Sequence, residues 1–208
     1  MPLMLRVDPN APDAAVIRDA AQMIRDGLVV AYPTDTVYGL AVDPRNARAV
    51  RRLFELKGRP ESSALTLIAA DIAQVREVAD MTPHGERLAE RWWPGPLTLV
   101  LRAKPVLARE TLAGGATVGV RVPDHAVAIA IARATEFCVT ATSANASGGA
   151  ATSAADAVLS ALPGVDAIVD AGSSRGGAPS TIVDASGRDV TLLRDGAVPW
   201  ERVLKSLR

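Results

Sequence analysis

Three short polar segments of this 208-residue sequence carry residue types that bind anions. The first, Thr34-Asp35-Thr36, sets hydroxyls around a carboxylate directly after the apolar run Leu28 to Tyr32 and leads to Tyr38-Gly39. A hydrophobic core has no use for such a loop. The second, Lys57-Gly58-Arg59, places two cations across a glycine. In a non-helical turn they can aim at one polyphosphate, lysine as a point charge and arginine as a planar fork; the same tripeptide also suits an ordinary surface turn. The third, Ser143-Ala144-Asn145-Ala146-Ser147-Gly148-Gly149, offers hydroxyl and amide donors and glycines that let the backbone approach an anion closely. Read as a bare connection, it is a loop rich in turn formers. Arg121 interrupts the apolar strand Val118 to Val122, so it must meet either an internal carboxylate or an anionic ligand. Ser180-Thr181 and Arg194-Asp195-Gly196 complete the set.

The elements that position these groups alternate along the chain. Helical spacing of apolar residues predicts helices over Asp13 to Asp26, Asn46 to Leu56, Asp71 to Ala79, Pro83 to Arg91 and Ala126 to Ala134. Apolar runs predict strands at Leu28 to Tyr32, Leu65 to Ala70, Leu97 to Arg102, Val118 to Val122 and Phe137 to Thr142, with late strands at Ala167 to Asp170, Thr181 to Asp184 and Val190 to Arg194. Ser153-Ala154-Ala155-Asp156 has the form of a capping box opening a helix to about Leu162, and Pro199 starts a closing helix. Trp93-Pro94-Gly95-Pro96 makes a rigid corner. The expectation is one α/β domain over residues 1–208, with a mixed sheet flanked by helices and polar loops at strand ends, where open sheets bind ligands. Gly172 to Ala178 is short enough to be a loop over the site.

Composition narrows the function. Hydrophobic residues make up 49% of the chain, and 23 basic residues balance 23 acidic ones. That argues against a surface gripping nucleic acid everywhere. Arg48, Arg51 and Arg52 read as a solvated helix face. No run spans a bilayer and no leader pattern opens the chain, so a cytoplasmic protein without membrane association is expected. The lone Cys138 lies in an apolar run and is expected in the core. Neither G-x-x-x-x-G-K-[ST] nor G-x-G-x-x-G occurs, the two histidines, His84 and His125, lack metal-ligand spacing, and Ser143 has no evident histidine base. What survives is a site of hydroxyls and cations for an anionic ligand.

Seven segments, in order, resemble the YrdC-like family of threonylcarbamoyl-AMP synthases, in its short single-domain form. They are Tyr32 to Leu40, Lys57-Gly58-Arg59-Pro60, Trp93 to Thr98, Val120-Arg121-Val122-Pro123, Thr142-Ser143-Ala144-Asn145, Ser180 to Asp184 and Leu193 to Gly196. The resemblance implies a twisted mixed sheet with a concave basic groove. It also implies a reaction of L-threonine, bicarbonate or CO2 and ATP giving threonylcarbamoyl-adenylate and pyrophosphate, the first step of N6-threonylcarbamoyladenosine formation in transfer RNA. By the same resemblance, Lys57 and Arg59 hold the phosphates, Ser143, Asn145 and Arg194 contact the nucleotide, and Thr34, Arg121 and Ser180 bind threonine. Mg2+ comes with ATP, no metal is held by the protein, and no cofactor is bound tightly. A separate transferase would accept the product. Ser63-Ala64-Leu65 and Ile68 depart from the family's asparagine-proline-leucine step and following histidine, which implies a differently lined amino-acid pocket. Two other functions fit the same residues: a non-catalytic relative binding transfer RNA or double-stranded RNA in the groove, and a carbamoyl-adenylate former with another amine.

Overall fold

The computed structural model of the chain describes residues 1–60, 62–174 and 176–207. Strand β1 (Leu3–Arg6) leads to helix α1 (Ala14–Arg25), where the Asp13 carboxylate accepts the N–H groups of Ala15 and Val16 and Ile17, Ala20, Ala21 and Ile24 form a buried stripe. Strands β2 (Val30–Tyr32) and β3 (Gly39–Ala41) flank the Thr34-Asp35-Thr36 loop. Asn46 caps α2 (Ala47–Lys57), and Gly58, at φ 57°, ends it in the left-handed conformation. Then follow β4 (Thr66–Ile68), α3 (Ile72–Val78), β5 (Ala79–Asp80), α4 (Pro83–Trp92), β6 (Leu97–Ala103), β7 (Thr117–Arg121) and α5 (Ala126–Thr135). The last third holds β8 (Val139–Thr140), β9 (Thr142–Ser143), α6 (Ala155–Ala161), β10 (Ala167–Asp170), β11 (Thr181–Asp184), β12 (Thr191–Arg194) and α7 (Trp200–Ser206).

The expected single mixed sheet is two. One has the order β1-β10-β2-β3-β9; the other runs β12-β11-β6-β7-β4-β8, with β5 added beside β6. Both mix parallel and antiparallel pairs. Alternation along β2 divides two cores, because Val30 and Tyr32 face one side while Val29 and Ala31 face the other. Helices α1 and α5 fill the space between the sheets, packing on Val30, Ala167 and Val169 of one and on Ile68 and Val139 of the other. Helices α2 and α6 cover the far face of the five-stranded sheet, and α3, α4 and α7 pack on the second sheet through Val75, Leu88 and Val203. Cys138 is buried as expected. Arg51 and Arg52 pair with Glu110 and Asp166, so those charges are spent on the fold. Among the described residues no helix is long and apolar enough to cross a membrane.

Other expectations change for local reasons. The capping box at Ser153 does not form: α6 begins at Ala155 with Ala154 as its cap, so the Ser153 hydroxyl stands one residue too early. Strands β1 and β3 were not expected from the pattern; β1 is largely exposed and β3 is only Gly39-Leu40-Ala41. The expected strand Phe137 to Thr142 is broken at Ala141, β8 pairing with β4 and β9 with β3.

Thr140 holds this break together. Its Oγ1 donates to Leu40 O at 2.8 Å and accepts Val42 N–H at 3.0 Å, while its own N–H reaches Val42 O and its carbonyl accepts Tyr32 Oη–H at 2.9 Å. A fully buried hydroxyl therefore ties the two sheets together. Thr140→Val keeps the shape and removes both hydroxyl bonds, leaving the Val42 N–H without this partner. It should lower unfolding stability by roughly 2–3 kcal/mol in urea titration, with Thr140→Ser retaining most of it.

Candidate active site

A cleft of about 370 Å3 opens where the two sheets meet. Its floor comes from the second sheet. Thr66 of β4 and Val100 of β6 both pair with Gly119 of β7, so Thr66, Gly119 and Thr98 share one face, and Arg121 lies two residues along it. A β-carbon at Gly119 would sit 3.1 Å from the Thr66 methyl and 3.3 Å from that of Thr98; the missing side chain keeps the floor low. The five-stranded sheet supplies Ser143 at the rim, and Thr36 and Thr142 add hydroxyls.

Three guanidinium groups, of Arg59, Arg121 and Arg194, line this cleft. Arg121 resolves its two readings together, since it lines the cleft and also meets an internal carboxylate. Its Nη1 donates to Asp35 Oδ1 at 2.7 Å, with the two side chains only 8% and 5% exposed. Its Nη2 lies 3.4 Å from Thr34 Oγ1 and 3.3 Å from Thr36 Oγ1. Asp35 Oδ2 is buried with no partner among the described residues. Arg59 donates to Thr142 Oγ1 and Ala64 O, and burial lowers its pKa from the ordinary arginine value. Arg194 donates to Ser180 O at 2.8 Å and to Ser180 Oγ at 3.2 Å, and Ser180 Oγ lies 2.9 Å from Thr98 Oγ1. Burial, then the charge of Arg121, lowers the Arg194 pKa. Three cations sharing a partly desolvated space favour an anionic ligand.

Of the eight expected site residues, Arg59, Arg121, Ser143, Ser180 and Arg194 line the cleft, whereas Thr34, Lys57 and Asn145 are buried behind its walls. Thr34 Oγ1 donates to Val37 O at 2.7 Å and shapes its own loop. Lys57 Nζ donates to Asn145 O at 2.6 Å and to Ser143 O, and the Lys57 carbonyl accepts Ser147 N–H. Asn145 Nδ2 donates to Ala146 O and Gly149 O, each at 2.8 Å. The end of α2 and this amide thus mould the loop that presents Ser143. Burial, then Arg59, lowers the Lys57 pKa to about 8. From the 172–178 segment Gly177 reaches the cleft; Arg175 lies outside the described residues. Thr36 belongs to the first polar segment singled out in the sequence, whereas sequence reasoning did not assign Thr66, Thr98 and Thr142 to the site. The available signal was a lone hydroxyl near the start of an apolar run, as in Thr66-Leu67-Ile68 and Thr98-Leu99-Val100.

Two outcomes follow from these buried charges. Arg121→Ala leaves Asp35 unpaired and should cost about 3–5 kcal/mol of unfolding stability, whereas adding Asp35→Ala should recover part of the loss in a double-mutant cycle. Lys57 releases its proton more easily folded, near pH 8, than unfolded, near 10.5, so the unfolded chain binds more protons between them and this residue's contribution to stability rises with pH across that window. The unfolding free energy of the native chain relative to Lys57→Met should therefore increase from pH 7.5 to 10, as read by urea titration; a flat difference would contradict it.

The profile of the Sua5_yciO_yrdC family, described as telomere recombination, matches residues 22–196. The chain is 41% identical over 191 residues to a threonylcarbamoyl-AMP synthase of Pyrococcus abyssi, covering 91% of this chain and 56% of that protein. It is 38% identical over 190 residues to the Bacillus subtilis protein of the same name, covering 90% and 55%. The chain thus spans about half the length of these relatives. The crystal structure of P. abyssi Sua5 complexed with L-threonine superposes with a TM-score of 0.93 at 38% identity, over 98% of this chain and 60% of that one. With its fold and a profile match over most of its length in agreement, the chain belongs to the Sua5/YciO/YrdC family.

Proposed function

We propose that this chain makes L-threonylcarbamoyl-adenylate from L-threonine, bicarbonate or CO2 and ATP, releasing pyrophosphate. The convergence of Arg59, Arg121 and Arg194 on one hydroxyl-floored cleft carries this reading. An ATP triphosphate and an amino-acid carboxylate together need several cations in one place. The family's synthases and the threonine-bound neighbour support threonine as the amino acid.

The threonine amine, once deprotonated, adds to CO2 and forms a carbamate. A carbamate oxygen then forms a bond to the α-phosphorus of ATP while the bond from that phosphorus to the bridging oxygen breaks, and pyrophosphate departs with the electron pair. Substrate provides the nucleophile, so the protein's work is to position the reactants and neutralise charge. Arg121, fixed by Asp35, would bind the threonine carboxylate beside Ser180 and Thr36. Arg59 would meet the phosphates, and Ser143 and Arg194 the nucleotide. Lys57 Nζ is held behind the cleft wall by two carbonyls, so in this conformation its part is to set the Ser143 to Ser147 loop. Mg2+ would be carried in on the ATP phosphates, where it would neutralise charge. A transferase acting on transfer RNA would consume the labile product.

Pyrophosphate release from Mg-ATP and bicarbonate should require L-threonine, be weak with serine, and fall at least about 100-fold in Arg59→Ala without loss of folding. Release indifferent to threonine would reject this substrate. No release with any amino acid, together with RNA affinity that falls steeply with salt, would identify an RNA-binding relative instead.

A further inference from the structure

A second cleft, of about 480 Å3, lies between α3 and α4 on the side of the second sheet away from the five-stranded one. It sits at the carboxyl ends of the parallel strands β4 and β7, a position where open α/β sheets take ligands. Ala69 N–H bonds Arg121 O at 3.0 Å and Gly95 N–H bonds Val122 O at 2.9 Å, so the strand ends that form its back wall are held in register.

The lining has two parts. Ile72, Ala89, Trp93, Pro94 and Val122 form an apolar floor. Trp93 Nε1–H is already spent on Leu97 O at 2.7 Å, so its ring offers only apolar and π surface. Around this floor stand three carboxylates. Glu86 and Glu90, four residues apart, project from one face of α4, and Asp71 faces them from the start of α3. Arg76 pairs with Glu86, Asp71 caps Gln74 N–H, and Glu90 is exposed with no ion pair among the described residues. In a chain whose charges cancel overall, this concentration of negative charge over an apolar floor selects ligands by sign.

We propose that this cleft is a second binding site, for a small organic cation whose ammonium or guanidinium group is carried on an apolar body. The floor would bury the body, the Trp93 face and the carboxylates would hold the charge, and the volume falls within the range of small-molecule sites. The arginine-lined cleft repels the same ligand, so the two sites are distinguishable. This inference does not depend on the proposed synthase activity.

The test is an 1H–15N NMR titration of the full chain with benzylammonium chloride at low ionic strength, with benzyl alcohol as neutral isostere. Saturable shifts should centre on the Trp93 indole N–H and the amides of Ile72, Ala89 and Val122, with benzyl alcohol about fivefold weaker or more. Glu90→Lys should weaken the cation by about fivefold or more with an unchanged thermal midpoint, and Glu90→Gln by less. Equal affinity for alcohol and cation, an unchanged affinity in both Glu90 variants, or no saturable shift at these residues would each overturn the site.

Discussion

The architecture depends on one strand that changes sheets. Val139 and Thr140 pair in the seven-stranded sheet, Thr142 and Ser143 in the five-stranded one, and at the exchange the Val42 N–H bonds the Thr140 hydroxyl rather than a carbonyl. A buried backbone donor or acceptor without a partner is costly, so the junction must supply one. The Thr140 hydroxyl does so, donating and accepting at once from a position no water reaches. Valine at this site would satisfy the strand and fail the junction. Ala141 continues the stitching, its N–H on Thr66 O and its carbonyl accepting the Thr66 hydroxyl.

Electrostatics in the arginine-lined cleft rests on unequal neutralisation. Arg121 has a buried carboxylate beside it, and the pair is better regarded as a fixed orientation than as a source of stability, because desolvation consumes much of what the ion pair returns. Among the described residues, the hydrogen bonds of Arg59 and Arg194 go to neutral oxygens. Their charges are therefore the ones a ligand would most effectively compensate. Lys57 plays a different part: from the last residue of α2 its ammonium bridges two carbonyls of one loop.

Much of the fold was legible because its cues are local. Asp13 and Asn46 are caps with their helices directly behind them, and apolar runs such as Leu97 to Leu101 read plainly as strands. The five cleft-lining residues that were anticipated stand in a polar loop, stand at the end of a strand beside one, as Ser143 and Arg194 do, or, as Arg121, break an apolar run, and each irregularity is visible in one dimension. The division into two sheets was not legible, since a run such as Phe137 to Thr142 has the same composition whether it serves one sheet or two. The floor threonines were hidden for a related reason. Hydroxyls at Thr66 and Thr98 are ordinary strand residues until Gly119 brings them to one surface. Lys57 and Asn145 were recognisable as residues of the site's motifs, but their burial behind its walls depends on tertiary contacts between segments more than 80 residues apart.

Because Ser143 belongs to one sheet and Thr66 and Thr98 to the other, the arginine-lined cleft is a seam rather than a pit. The aperture of a seam is governed by the angle between two slabs, a single rigid-body coordinate. A ligand touching both sides would gauge that one angle in place of many separate rotamers. The α1–α5 layer wedged between the slabs is, in mechanical terms, the spacer that sets the gauge.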